Sequence, residues 1–279
     1  MTDPMVSTAW LAERLDDPAI RILDASWFLP GAGRDPAVEY AAGHIPGAVR
    51  FDIDAVSDRA NDLPHMLAPA SDFAVAMRRL GLDPASTAVA YDTAGLFSAA
   101  RAWWNLRAMG HRSVFVLDGG FPRWVAEDRS VETGWRKPAH GEFKARPVEA
   151  LTRDLGEVRH ALDEGLAQVI DARPSGRFQG SAPEPRAGLR SGHMPGALNI
   201  PWDAVVDRGS LAPAERLREI FEAAGARLDR PIITTCGSGV SACMLALALA
   251  RLGREDVAVY DGSWSEWGGR SDTPVVTGP

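Results

Sequence analysis

Residues 234–253 read "TTCGSGVSACMLALALARLG" and join three patterns in a row. The β-branched and apolar run that begins at Pro231 ends at Cys236, and the cysteine opens a loop that contains two glycines. A long run of alanine and leucine follows. A buried strand, a glycine-rich loop and a helix in this order are typical of an α/β domain, in which ligands bind at the carboxyl ends of the strands.

The loop after Cys236 has the composition of an anion cradle. The backbone amides of Gly237, Ser238, Gly239 and Val240 precede the helix and can converge on a negative charge, while the helix dipole adds positive potential. Such surroundings lower the pKa of a thiol and stabilise a thiolate. We therefore predict that Cys236 is a nucleophile; the alternative is a buried thiol that only packs at a strand end.

Composition excludes several classes of protein. Of the 279 residues, 46% are hydrophobic and 24% are charged, and the formal net charge is -7. This balance is that of a globular protein and argues against nucleic acid or an anionic membrane as a partner. The N-terminus has no basic region before an apolar core, so we expect a cytoplasmic protein. Two cysteines are too few for a disulfide framework or a cysteine-based zinc site, and we expect no metal and no cofactor.

The chain contains an internal repeat. "AAGHIPGAVRFDID" aligns with "RSGHMPGALNIPWD" further along the chain, and "FVLDGGFPRW" aligns with "AVYDGSWSEW". The offset between the copies changes only from 147 to 149 and then to 144 and 143. A repeat of this length indicates a duplicated domain. We predict a first domain over 1–136, a linker over 137–150 and a second domain over 151–279.

Both copies show the same alternation of elements. Short β-branched runs such as "TAVAYD" alternate with helical patterns such as "SDFAVAMRRLG". This alternation predicts α/β domains, each with a mainly parallel sheet flanked by helices. The position of Cys236 is taken by Asp92 in the first copy. We therefore expect the first domain to be non-catalytic and the second to be catalytic.

Four motifs together resemble the two-domain rhodanese superfamily: "CGSGVSA", the pair "GHIPGA" and "GHMPGA", "GRFQGSAPEPR" and "YDGSWSEWG". The neutral loop is similar to that of the 3-mercaptopyruvate sulfurtransferase branch, whereas members that prefer thiosulfate have basic residues after the cysteine. The resemblance implies that Cys236 takes sulfur from 3-mercaptopyruvate as a persulfide, releases pyruvate and passes the sulfur to cyanide or to a thiol such as thioredoxin.

The resemblance also implies the other site residues. Arg177 and Arg186 match the arginines that bind the substrate carboxylate and ketone, and the substrate-binding loop corresponds to Gly237, Gly239, Val240 and Ser241. Ser238 is implied to act with a histidine and an aspartate of the first domain, which we assign to His44 and Asp35. The alternative for His44 is a purely structural role, because His193 repeats it in the second copy.

Three other functions compete with this prediction. One is a thiosulfate sulfurtransferase, and another is a non-catalytic regulatory module that binds a persulfide. The third is a cysteine phosphatase or arsenate reductase, since these enzymes also place a cysteine in a loop before a helix. They resemble one another in having an arginine six residues after the cysteine, where this chain has Ala242.

Overall fold

The computed structural model describes residues 3–279, which fall into two compact units. Of the described residues, unit 1 comprises 3–59, Leu67–Val148 and Arg208–Leu211. Unit 2 comprises Ala60–Met66, Glu149–Asp207 and Ala212–Pro279. Each unit is therefore built mainly from one copy of the repeat and includes a short segment of the other copy.

Unit 1 contains a five-stranded parallel sheet with the order β1-β5-β4-β2-β3. Its strands are β1 (Met5–Val6), β2 (Ile20–Asp24), β3 (Val49–Arg50), β4 (Thr87–Tyr91) and β5 (Val114–Leu117). Its helices are α1 (Thr8–Ala12), α2 (Pro36–Ala42), α3 (Ala70–Arg79), α4 (Ala99–Ala108) and α5 (Gly120–Ala126).

Unit 2 contains a second five-stranded parallel sheet, with the order β6-β12-β11-β7-β8. The strands of the second half are β6 (Thr152–Arg153), β7 (Gln168–Asp171), β8 (Leu198–Asn199), β9 (Val206–Asp207), β10 (Ser210–Leu211), β11 (Ile232–Thr235) and β12 (Ala258–Tyr260); β9 and β10 lie outside this sheet. Its helices are α6 (Leu155–Asp163), α7 (Ser175–Gln179), α8 (Ala214–Ala223), α9 (Ala242–Arg251) and α10 (Ser263–Trp267).

The two sheets repeat the same strand order, which confirms the predicted α/β fold and its duplication. The central strands β4 and β11 are almost wholly buried, as expected for strands covered by helices on both faces. Helix α9, which follows β11, is buried at every position from Ala242 to Ala250. A helix that is apolar on all sides can be stable only inside a core, and this is why the alanine and leucine run is so continuous.

Residues 137–148, which we predicted to be linker, pack on unit 1. Phe143 is buried, and its backbone N–H donates a hydrogen bond of 3.0 Å to the carbonyl of Leu82. Gly141 lies so close to Leu82 that a Cβ there would stand 2.0 Å from the same carbonyl oxygen. A polar and aperiodic sequence therefore does not mean a loose segment, because backbone hydrogen bonds and one buried ring are enough to hold it.

The segment Ala60–Met66 explains the largest change in the repeat offset. The offset falls from 149 at Asp58 to 144 at Leu67, so the first copy is longer than the second between these positions. The extra residues fall within the segment that groups with unit 2. Conversely, the segment Arg208–Leu211 belongs to the second copy but groups with unit 1. There the Ser210 hydroxyl accepts a hydrogen bond of 2.5 Å from Arg123.

Among residues 3–279, none of the helices has the length and apolar character that crossing a bilayer requires.

Candidate active site

Cys236 lies directly after β11, where the central strand of the second sheet ends. Its side chain is buried, and the loop continues through Ser238 and Val240, which are also buried. Gly239 has a φ of 77°, a left-handed conformation that a residue with a side chain would resist. The chain therefore turns at Gly239 and enters α9 at Ala242, directly after Ser241, so this helix begins six residues after the cysteine.

Residues at the start of α10 donate hydrogen bonds to the backbone of the cysteine loop. The backbone N–H of Trp264 donates to the carbonyl of Cys236 at 2.9 Å. The carbonyl of Gly237 accepts from the backbone N–H of Ser265 at 2.9 Å and from its hydroxyl at 2.7 Å. Because the carbonyls of Cys236 and Gly237 both accept hydrogen bonds from α10, the peptide groups on either side of Gly237 are fixed.

Arg177 and Arg186 both reach the cysteine loop at Gly237. A Cβ built on Gly237 would lie 3.0 Å from Nη2 of Arg177 and 4.0 Å from Nη1 of Arg186. A side chain at this position would therefore press on the guanidinium groups, and glycine leaves that space open. The structure therefore places the guanidinium groups of the two predicted substrate-binding arginines next to the loop that contains the predicted nucleophile.

A buried carboxylate, Glu184, holds Arg177 in place. It accepts from Nε of Arg177 at 3.1 Å and makes a second, shorter contact with Nη2 of the same side chain. Its other oxygen accepts from Nη1 of Arg173 at 2.7 Å. Only 1% of the Glu184 side chain is exposed, so these charge-assisted bonds are shielded from solvent.

Arg173 links the Arg177–Glu184 pair to the sheet and to α10. It forms hydrogen bonds with Asp171 at the end of β7, and its guanidinium lies 4.0 Å from the ring of Trp264. Burial acts to lower the pKa of Arg173, but the carboxylates of Asp171 and Glu184 raise it above its usual range. Glu184 and Arg173 were not predicted from the sequence; their only signal was their place inside or beside the motif that contains Arg177 and Arg186.

His65 is a third residue that was not predicted from the sequence. It belongs to the segment Ala60–Met66 of unit 2, and its Nε2 lies 3.4 Å from Nη2 of Arg186. The side chain is 7% exposed and the backbone has a φ of 64°. The change in repeat offset was the available signal, because it marks a segment of the first copy that has no counterpart in the second.

His44 and Asp35, the predicted partners of Ser238, have structural roles in unit 1. Nδ1 of His44 forms a 2.9 Å hydrogen bond with the Tyr40 carbonyl, and its ring stacks on that of Tyr40. His193 makes the same bond and the same stack with Phe178 in unit 2. Asp35 caps α2 by accepting the backbone N–H of Ala37 at 2.8 Å. The geometry therefore favours the structural alternative for His44, and helix capping accounts for Asp35.

In the equivalent loop of unit 1, one side chain binds the backbone amides of the loop. Asp92 is buried, and its carboxylate accepts the backbone N–H groups of Ala94, Phe97 and Ala99 at 2.9, 2.8 and 2.9 Å. Burial raises the pKa of Asp92, while the three hydrogen bonds act to lower it. In unit 1 the loop amides therefore bind the carboxylate of Asp92. In unit 2 the side chain at this position is the Cys236 thiol, which has no oxygen that could accept hydrogen bonds from the corresponding amides.

Comparison with known proteins agrees with this geometry. The family model "Rhodanese-like domain" matches residues 7–127 and 154–270. The chain is 48% identical over 271 residues to the 3-mercaptopyruvate sulfurtransferase of Escherichia coli K12, covering 97% of this chain and 96% of the relative. It is 41% identical over 271 residues to the thiosulfate sulfurtransferase of Bos taurus, covering 94% and 91%.

A solved structure is also similar. The crystal structure of the E. coli protein SseA, described as a 3-mercaptopyruvate sulfotransferase with a rhodanese fold, superposes with a TM-score of 0.87 at 46% identity. The superposition covers 94% of this chain and 99% of the other. Duplicated sheets, a cysteine at the end of a central strand and two matches to one domain model have a single explanation: the chain belongs to the rhodanese family.

Proposed function

We propose that this protein is a 3-mercaptopyruvate sulfurtransferase whose catalytic residue is Cys236. The observation that carries the proposal is the approach of Arg177 and Arg186 to Gly237, the residue after the cysteine. 3-Mercaptopyruvate has a carboxylate and a ketone next to its sulfur, and two guanidinium groups beside a thiol match that arrangement. The resemblance of the cysteine loop to this branch of the family supports the same substrate.

The chemistry proceeds in two steps. The Cys236 thiolate attacks the sulfur of the substrate, the new S–S bond forms, and the C–S bond breaks with its electron pair on carbon. The products are a cysteine persulfide and the enolate of pyruvate, which takes up a proton. A thiolate or cyanide then attacks the outer sulfur of the persulfide and regenerates the Cys236 thiolate.

The residues around Cys236 support this course. Arg177, held by Glu184, binds the carboxylate, and Arg186 stabilises the negative charge that develops on the enolate oxygen. The loop from Gly237 to Ser241 follows Cys236 directly, and it contains the Ser238 hydroxyl two residues after the cysteine. These roles rest on the family resemblance and on the distances at Gly237.

His65 replaces His44 as the histidine that we assign to the site. Its imidazole lies beside Arg186, in unit 2, and a histidine can take or supply a proton near neutral pH. In His44, Nδ1 is hydrogen-bonded to the carbonyl of Tyr40 and the ring stacks on the ring of Tyr40, both within unit 1. His65 comes from the first half of the chain. The resemblance implies that the histidine of the site comes from the first domain.

Thiosulfate is the second candidate donor, since a thiosulfate sulfurtransferase is among the relatives. Thiosulfate is a dianion with no carbonyl group. Two features favour the monoanionic keto acid over it: the loop from Gly237 to Ser241 contains no basic residue, and Glu184 neutralises part of the charge of Arg177. The physiological acceptor that we propose is a thiol, for example a thioredoxin, in the cytoplasm.

A comparison of the two donors tests the proposed function. We expect kcat/KM with 3-mercaptopyruvate to exceed that with thiosulfate, with cyanide as the common acceptor. Intact mass after incubation with 3-mercaptopyruvate should increase by one sulfur atom per chain. A higher kcat/KM with thiosulfate would reassign the substrate, and a chain that gains no sulfur from either donor would point to a module that only binds persulfides.

Cys243 provides the matched control for Cys236. It lies in α9, it is fully buried, and its Sγ contacts the Gly239 carbonyl at 3.1 Å. We expect Cys236→Ser to abolish the gain of sulfur and Cys243→Ser to retain it. If the added sulfur instead disappears in Cys243→Ser and stays in Cys236→Ser, the nucleophile has been assigned to the wrong cysteine.

A further inference from the structure

Ser263 has an unusual backbone conformation for a buried residue. It is the first residue of α10, no part of it is exposed, and its φ is 51°. This is the left-handed region, which costs free energy for any residue with a Cβ and which glycine occupies freely. A strained residue that is kept in a core needs a compensating role, and its contacts indicate which one.

The Ser263 hydroxyl links α10 to the nucleophile. Its proton goes to the carbonyl of Tyr260 at 2.8 Å, because a carbonyl oxygen can only accept. The oxygen therefore presents its lone pairs to the backbone N–H of Cys236, which donates to it at 3.3 Å. The hydroxyl thus holds the amide of the cysteine itself, in addition to the bonds that Trp264 and Ser265 make to the loop carbonyls.

Unit 1 provides an internal comparison without the nucleophile. The position of Ser263 is occupied there by Gly120, whose φ of 53° is nearly the same. The next residue, Phe121, donates its backbone N–H to the Asp92 carbonyl at 3.0 Å, as Trp264 does to Cys236. The turn is therefore complete with glycine, and the hydroxyl is not needed to form it.

We propose that Ser263 is a positioning residue for the proposed sulfur transfer, and that its hydroxyl fixes the backbone of Cys236 so that the thiolate faces the substrate sulfur. The serine accepts backbone strain that the non-catalytic copy avoids, and the difference between the copies coincides with the presence of the cysteine. Ser263 does not lie among the arginines that bind the substrate, so it affects the rate of attack rather than donor affinity. This inference rests on the proposed function.

Two variants separate the hydroxyl from the strain. Ser263→Gly removes both, and Ser263→Ala removes the hydroxyl but keeps the strain. We expect both to slow persulfide formation at saturating 3-mercaptopyruvate by about tenfold, the loss expected for one hydrogen bond that positions the nucleophile, with KM changed by less than about twofold. The end point should remain one added sulfur per chain, because the cysteine is still present and folded.

The melting temperature also distinguishes the positioning role from a purely structural role. We expect Ser263→Gly to melt at the same temperature as the wild-type chain or a few degrees higher, and above Ser263→Ala, because glycine relieves the left-handed strain. The matched control is Asp128→Gly, which removes the same kind of strain at an exposed residue with a φ of 53°. That variant should keep the wild-type rate.

The outcomes distinguish the positioning role from the proposed function. A wild-type chain that gains no sulfur would contradict the sulfurtransferase assignment; the rate of Cys236 alkylation by iodoacetamide, compared across the same variants, would still test whether Ser263 positions the thiol. A Ser263→Ala variant with wild-type rates of transfer and alkylation would overturn the positioning role. A slow Ser263→Gly variant that also melts early and reaches less than one sulfur per chain would overturn it too, in favour of a structural role.

Discussion

Oδ2 of Asp92 accepts a hydrogen bond of 2.9 Å from the backbone N–H of Ala99, the first residue of α4. Two further amides of the same loop bind this carboxylate, so the cradle in unit 1 is filled from within. Unit 1 therefore has a carboxylate bound to the loop amides at the position that Cys236 takes in unit 2. A side chain that satisfies three buried amides contributes to the stability of its own unit.

Replacement of Asp92 should destabilise unit 1. Asp92→Ala leaves three N–H groups without their acceptor, and we expect the free energy of unfolding to fall by about 2–4 kcal/mol. Urea denaturation measures the loss. Asp92→Asn keeps an acceptor oxygen and should lose less; equal losses for alanine and asparagine would contradict the amide-cradle interpretation. Under conditions in which the variants stay folded, one sulfur per chain should still be added at Cys236.

Removal of the charge on Glu184 should weaken substrate binding. Glu184→Gln leaves Arg177 and Arg173 without the carboxylate that they share, so Arg177 is no longer held against the loop. We expect KM for 3-mercaptopyruvate to rise by about tenfold, corresponding to about 1.4 kcal/mol, and kcat to fall less. Steady-state kinetics with both donors measures the change.

Glu219 is the control for this variant. It pairs with Arg216 on the exposed face of α8, where an ion pair contributes little. Glu219→Gln should leave KM and kcat unchanged. A Glu184→Gln enzyme with the wild-type KM would show that Arg177 needs no carboxylate to keep its position.

Substitutions of His44 and His65 should have different effects. His65→Asn is expected to slow turnover by about tenfold or more and to alter the pH dependence of kcat, because an imidazole beside Arg186 is lost. His44→Asn is expected to lower the free energy of unfolding by about 1–3 kcal/mol, because it removes the bond and the stack on Tyr40. The reverse pattern would restore the original assignment of His44.

His111 makes the stability of unit 1 dependent on pH. Burial lowers the pKa of this histidine below its usual value of about 6.5, although hydrogen bonds to the backbone of Ser86 and Ser113 act in the opposite direction. Below pH 6.5 the unfolded chain therefore binds a proton more readily than the folded chain. The free energy of unfolding is reduced as the pH falls below that value.

Urea denaturation between pH 7 and pH 5 tests this dependence. His111→Asn should flatten the decline at acid pH, even if it costs stability at pH 7. His140 is exposed on the same unit, and His140→Asn should leave the slope as it is in the wild type. An unchanged slope in His111→Asn would mean that other groups cause the acid sensitivity.

Several features of this protein could be predicted from its sequence because their signals are local. Alternation of β-branched runs with helical patterns predicted the parallel sheets, and the repeat predicted their duplication. The strand, loop and helix around Cys236 are consecutive in the chain, so the position of the cysteine at the end of a central strand followed directly. Arg177 and Arg186 could be predicted as candidates because they lie in one motif, and both approach Gly237 in the structure.

Other features depend on contacts between distant parts of the chain, and only the tertiary structure decided them. His65 lies beside Arg186 because Ala60–Met66 groups with unit 2, and no periodicity signals such an exchange. Ser263 accepts a hydrogen bond from the amide of Cys236 and lies at the start of α10, which follows the neighbouring strand β12. Sequence patterns report which face of an element is apolar; they do not report which polar groups meet once the elements have packed, because the partners are far apart in the chain.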